Sequence, residues 1–88
     1  MNKSASLFDD TSDEVFYEQL YKEHRNHIHN IARYRLYDKK RADDVVQETF
    51  LTALQYIEDL KDQPNPTGFL IRTAINLIKQ HNHKQMKP

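Results

Sequence analysis

The 88-residue chain has one glycine and three prolines, and three of these four lie together in Asp62-Gln63-Pro64-Asn65-Pro66-Thr67-Gly68. Proline removes a backbone donor and pushes the residue before it out of helical space, so this segment must interrupt whatever precedes it. Elsewhere the backbone meets no comparable breaker until Pro88. Apolar residues recur at spacings of three and four, and no stretch alternates apolar and polar with period two for long enough to form a strand. The chain is also short enough for only one domain. The expected fold class is therefore all-α: a small bundle of three helices around one core, with room for an extra short helix.

Thr11 followed by Glu14 is a capping-box pattern ahead of an apolar run, so a first helix should begin there and end near Leu36. At about 100° per residue, Phe16, Tyr17, Leu20, Tyr21, Ile28, Ile31 and Ala32 share one of its faces. Tyr37-Asp38-Lys39-Lys40 reads as a turn in which Asp38 can cap the next helix. Ala42, Val45, Val46, Thr49, Phe50, Ala53, Leu54 and Ile57 then give the strongest periodic signal, predicting a continuous second helix over 40–60. Thr67 is the expected cap of a third helix over 68–82. Residues 1–12 are expected to form a flexible leader, 13–84 the folded domain, and 85–88 a tail or truncated linker, with polar, loose chain from Asn82 onward.

Lysines and arginines number 13 and acids 13, which on average speaks against a nucleic-acid partner. The average hides a segregation. Residues 1–40 hold seven acids and seven bases, 41–62 six acids and two bases, and 63–88 four bases and no acid. An acidic second helix and a basic third one cancel, so opposite parts of the domain can face opposite partners.

Away from its apolar stripe, the second helix carries Asp44, Gln47, Glu48, Leu51, Gln55 and Glu58. These residues make either a solvated face with one exposed leucine or a docking face for a basic helix of another protein, because Gln and Glu can bind Arg or Lys in pairs. On the third helix, Arg72, Asn76, Lys79 and His83 follow one another at i, i+4, i+7 and i+11, with Gln80 at the edge of the strip. Two cations, an amide and a titratable histidine in a row suit phosphate and base-edge contacts; a purely solubilising stripe would use the same residues.

Several function classes have no support. Without cysteine there is no disulfide scaffold, redox dithiol or thiolate zinc site. The longest wholly apolar run is Phe69-Leu70-Ile71, and Met1-Asn2-Lys3-Ser4 has no signal-peptide core, so no membrane association and a cytoplasmic location are expected. Among the five histidines, His24 and His27 point to the apolar side of the first helix, His29 to its wet side, and His81 and His83 diverge. No HExxH accompanies them, so core or hydrogen-bonded histidine is the expectation for His24 and His27, with no metal and no cofactor. A glycine-rich phosphate loop and a GxSxG nucleophile are absent as well, and an enzyme is not expected.

Asp43-Asp44-Val45-Val46-Gln47-Glu48-Thr49-Phe50 resembles region 2 of bacterial RNA polymerase sigma factors of the sigma-70 family, in particular the extracytoplasmic-function (ECF) type, whose second helix reads approximately A-E-D-L-V-Q-E-T-F. The likeness extends to Leu20-Tyr21-Lys22-Glu23-His24, which is similar to the family's L-Y-x-x-H/Y. Phe69-Leu70 with Ala74-x-Asn76 is similar to its W-L-x-x-I-A-x-N. The register runs from Phe16 to near Lys84. Phe69 stands where the family usually has Trp, Thr73 where it has Ile, Gln80 where Asp is frequent, and His83 where Arg is frequent. The family's second helical domain, region 4, reads the −35 element and does not fall within these residues. The resemblance thus covers either an excised domain or a short sigma-like protein working alone or with a second subunit.

The resemblance implies a transcription initiation domain. Asp44, Gln47, Glu48 and Leu51 would dock on the clamp helices of the polymerase β′ subunit. The third helix and the loop before it would capture the melted −10 promoter element as a single-stranded non-template strand. Asn65, Phe69, Arg72, Asn76, Lys79, Gln80 and His83 become candidate DNA contacts, with residues 65–69 cradling a flipped base. Phe69 is the only aromatic near the third helix in sequence, so hydrogen-bonded capture by the 63–69 loop is the preferred variant. A second reading is a protein-interaction module, binding an anti-sigma factor or regulating a mobile element, that recognises no promoter itself. A helix-turn-helix duplex reader is disfavoured, since residues 62–68 make too long and proline-rich a turn.

Overall fold

The computed structural model describes residues 11–86, and side chains through residue 84. The chain forms α1 (Thr11–Arg35), a single 3-10 turn (Lys39–Arg41), α2 (Ala42–Gln55), a short α3 (Ile57–Lys61) and α4 (Pro66–Met86). Among the described residues there is no strand, and the architecture is an all-α bundle of three long helices and one short one. Of the leader expected over 1–12, residues 1–10 lie outside the described residues, while Thr11 and Ser12 form the first turn of α1.

The middle helix organises the core. α2 lies against both α1 and α4, which also touch each other. Leu20, Ile28, Ala32 and Leu36 meet Ala42, Val45, Val46, Phe50 and Ala53, with Leu70, Ala74 and Ile78 closing the cluster. On α1 the inward ridge runs Leu20, His24, Ile28, Ala32, Leu36, and on α4 it runs Leu70, Ala74, Ile78, both in steps of four. Such ridges slant across a helix, so the covered stripe shifts as the chain advances. His27, expected on the apolar side, is left exposed for this reason, whereas His24 is half-buried and its Nε2 lies 3.2 Å from the Thr67 hydroxyl.

The second helix does not run unbroken from 40 to 60. Asp38 caps the 3-10 turn by accepting from the Lys40 amide at 3.1 Å, and the α-helix starts at Ala42. At Tyr56 the backbone leaves helical geometry (φ −112°, ψ 24°), and a separate short helix, α3, begins at Ile57. Neither glycine nor proline causes this. The break brings the Tyr56 ring edge-on to Phe69, with centroids 5.8 Å apart, and buries Ile57 and Leu60. It also delivers Lys61 to Asp13, a carboxylate in the first turns of α1 that is only 1% exposed. Tertiary packing here outweighs the local preference to continue the helix.

The third long helix starts earlier and ends later than 68–82. Asn65, not Thr67, is its cap: the Asn65 side chain accepts from the Gly68 amide at 3.1 Å, and Pro66 occupies the first helical position, where a missing N–H costs nothing. A Cβ on Gly68 would lie 2.8 Å from the Asn65 side-chain nitrogen, so glycine leaves room for the cap. At the other end, Asn82 belongs to the fold and is not the start of a loose tail. Its oxygen accepts from the Tyr37 amide at 2.9 Å, and its nitrogen donates to the Arg35 carbonyl at 3.0 Å. Lys39 adds bonds to the carbonyls of Arg33 and Leu36, so the C-terminal end of α1 is satisfied without a glycine.

Candidate functional site

Two separate surfaces hold the side chains singled out in the sequence. The first is the outward face of α2. Asp44, Gln47, Glu48 and Leu51 are all exposed, Leu51 by 57%. Helical spacing puts them on one face, but their neighbours differ. Gln47 and Leu51 border a shallow, largely apolar depression of about 210 Å³ between α1 and α2, lined also by Tyr17, Tyr21 and Phe50. Gln47 and Tyr21 are shared with a more polar groove of about 350 Å³ that continues past Arg25, Asn26, His29, Asp43 and Val46. Glu48 instead leans toward α4, where its carboxylate lies 3.0 Å from His81 Nε2.

The walls of this depression are fixed by aromatic packing. Tyr21 meets the Phe50 ring edge-on at 4.9 Å, Tyr17 does so at 6.5 Å, and the Tyr17 hydroxyl donates to the Phe50 carbonyl at 3.0 Å. Partial burial raises the Tyr17 pKa above its ordinary value, with the neighbouring Tyr21 adding to the effect. The arginine of Arg25 sits 5.7 Å from the centre of the Tyr21 ring, and His29 Nε2 lies 3.1 Å from Asp43. The face therefore offers acceptors at Asp44, Gln47 and Glu48 around one exposed apolar residue, set on a backbone held from beneath by Phe50 and Thr49.

The second surface is α4. Arg72, Asn76, Lys79, Gln80 and His83 are all exposed, and no acid occurs between Pro66 and Met86. The opposite side of the helix supplies Leu70, Ala74 and Ile78 to the core, so the strip lies on the wet side. Asn65 and Phe69 stand apart from the strip. Asn65 caps the helix, and Phe69 is half-buried between the core and the Tyr56 ring. Sequence spacing did not bring out Tyr56, which lies thirteen positions before Phe69 yet is 49% exposed and gives the loop side of α4 a second aromatic ring.

Three of the other histidines have side-chain partners: His24 faces Thr67, His29 faces Asp43 and His81 faces Glu48. Among the described residues no three metal-ligating side chains converge, and no helix is long and apolar enough to cross a membrane. No curated protein and no solved structure matches the chain. The sequence model of the family described as Sigma-70 region 2 matches residues 20–87, which takes in α2, α3, most of α1 and the described length of α4. The chain belongs to the sigma-70 region 2 family, a transcription-factor domain with a general role in RNA polymerase binding and promoter melting.

Proposed function

We propose that this domain is a region 2 of the ECF type that docks on the β′ clamp helices of core RNA polymerase through Asp44, Gln47, Glu48 and Leu51. On this reading it captures the melted −10 element, as the single-stranded non-template strand, along Arg72, Asn76, Lys79, Gln80 and His83, with Asn65 and Phe69 at the loop end. The observation that carries the reading is the division of labour between two exposed faces: an acid- and amide-bearing face with a bare leucine on α2, and an acid-free strip on α4. Opposite charge suits a basic protein helix on one side and phosphates on the other.

Opening a duplex costs about 1.4 kcal/mol per stacked step, and a single-strand contact set of two to four phosphates yields a salt slope of only roughly −1.5 to −3. The domain's part is therefore capture. Polymerase bends and opens the duplex, and the strip holds bases already unstacked, which shifts an existing equilibrium. Replacing Gln47 and Glu48 with Ala should abolish binding to core polymerase with the helical circular dichroism unchanged. Because Glu48 also bonds His81, the pair Gln47→Ala and Leu51→Ala keeps that bond and separates docking from stability. Undiminished core binding by both double variants would overturn the docking assignment. Arg72→Ala with Lys79→Ala should spare core binding and weaken capture of a pre-melted promoter strand; full transcription from such a template would remove the α4 strip from the mechanism.

A further inference from the structure

The corner between α1 and α2 concentrates cations that the segment totals conceal. Arg33-Tyr34-Arg35-Leu36-Tyr37-Asp38-Lys39-Lys40-Arg41 carries five bases against one acid. Some of this charge serves the fold. Lys39 caps the end of α1, and Asp38 is committed to the Lys40 amide and, at 3.6 Å, to Arg41. Asp43, the next acid along the chain, faces His29, and Asp44 follows it in the first turn of α2.

Fold requirements do not account for the rest. Cations near a helix C-terminus complement its dipole, and Arg33 and Arg35 lie in the last turn of α1. That explains neither the exposed Lys40 nor two large aromatic rings in water, Tyr34 at 85% and Tyr37 at 64% exposure. Cations interleaved with exposed aromatics are the chemistry of single-strand binding: cations track the backbone phosphates, and rings stack on unpaired bases of any sequence. The corner also has a defined place relative to α4. Asn82 bonds both the Arg35 carbonyl and the Tyr37 amide, so the C-terminal ends of α1 and α4 sit side by side, and the corner adjoins the end of α4 that carries His83 and Lys84.

We propose that the α1–α2 corner is a second single-strand-binding surface, in which Arg33, Arg35 and Lys40 bind backbone phosphates and Tyr34 and Tyr37 stack on unpaired bases. It continues the α4 strip around the end of the bundle. The proposal rests on the DNA-facing reading of α4 for the direction of the strand alone, not for the binding itself.

The probe is a fluorescein-labelled oligothymidylate of about 20 nucleotides, titrated with the full chain by anisotropy at about 0.01 M salt, where screening is weak. Thymidylate removes base-edge recognition and leaves phosphate and stacking. Arg33→Ala, Arg35→Ala and Lys40→Ala together should flatten the slope of log K against log salt by about 2, since each single-strand phosphate contact contributes about 0.7. Tyr34→Ala and Tyr37→Ala should each weaken binding by about 5-fold or more at fixed salt, with the salt slope unchanged. None of these side chains caps a helix or enters the core, and thermal melts matching the parent confirm that the variants are folded.

Arg72→Ala with Lys79→Ala is measured alongside. Loss in the corner variants supports the corner: loss in the α4 pair as well makes the two one continuous surface, and no loss in that pair makes the corner a separate site. Loss in the α4 pair alone overturns the corner and leaves the strip standing. Parent protein that binds polyglutamate as tightly as oligothymidylate fails to bind by charge complementarity with phosphate, and this too overturns the proposal.

Discussion

Asn82 is the residue whose removal most directly tests the way α1, the corner and α4 are joined. Its carboxamide makes two bonds to backbone 45 and 47 positions earlier, at 2.9 and 3.0 Å. A hydrogen bond of this kind contributes about 0.5–1.5 kcal/mol net. Both backbone partners lie at an exposed end of the bundle, so after truncation to Ala water can reach them and no buried group is orphaned. The low end of the range, about 0.5–0.75 kcal/mol, applies to each, giving a total of about 1–1.5 kcal/mol. Alanine also favours the helix over asparagine by up to about 0.7 kcal/mol, which would mask part of the loss. Asn76→Ala, on the exposed strip of the same helix, carries that propensity gain without the staple. The quantity to measure is therefore the difference between the two variants. For a chain of this size it corresponds to about 4–12 °C in Tm, or roughly 1 M in urea midpoint with m unchanged. Total stability at this length is about 4–13 kcal/mol, so the effect is a substantial share. If Asn82→Ala and Asn76→Ala melt together, the staple contributes nothing and the junction is held by the core alone.

Two further outcomes follow from other contacts. Lys61→Ala removes the cation from Asp13, whose carboxylate is almost fully covered, while Lys61 itself keeps partial exposure; the expected loss is about 2–3 kcal/mol, below the usual range for a fully buried pair. A double-mutant cycle with Asp13→Asn by chemical denaturation should show coupling, and simple additivity would contradict it. Tyr17 has its pKa raised by burial and then by Tyr21, so the folded state holds this proton more tightly than the unfolded chain. Its contribution to stability is whole below the unfolded value of about 10 and is lost as pH rises through the higher folded value. Tyr17→Phe should cost about 1 kcal/mol at neutral pH by losing the bond to the Phe50 carbonyl, and should soften the decline in Tm as pH rises above about 10. Parallel alkaline profiles for the two proteins would refute the assignment.

The parts of the fold legible in the sequence are those set by local spacing. The inward residues of α2, the turn at Asp38, the break over 62–65 and the exposed rows on α2 and α4 all follow from periods of three and four and from two prolines. What escaped notice depends on partners far along the chain. Asp13 reads as an ordinary first-turn acid until Lys61 is brought to it, and Asn82 reads as tail until the end of α1 is placed beside it. The break at Tyr56 has no breaker residue and goes with contacts distant in sequence: the Tyr56 ring on Phe69, the burial of Ile57 and Leu60, and Lys61 on Asp13. The start of α4 was within reach: Asn65-Pro66 is a cap followed by proline at the first helical position, a stronger signal than Thr67 alone. His27 required knowing that the ridge on α1 advances in fours. The basic corner is visible over a window of nine residues, 33–41, and averages to neutrality over 1–40.

One contact joins the two faces of the domain. Glu48 belongs to the α2 surface, and the His81 bonded to it belongs to α4, between Gln80 and His83. A carboxylate can accept several hydrogen bonds, but each new cation on Glu48 withdraws electron density from the bond it already makes. If both faces bind as proposed, a partner on either one that strengthens or weakens that bond is felt at the other, and such linkage is reciprocal by thermodynamic necessity. If Glu48 is a docking group, the affinity of α2 for its partner and the positioning of the end of α4 are then a single coupled equilibrium.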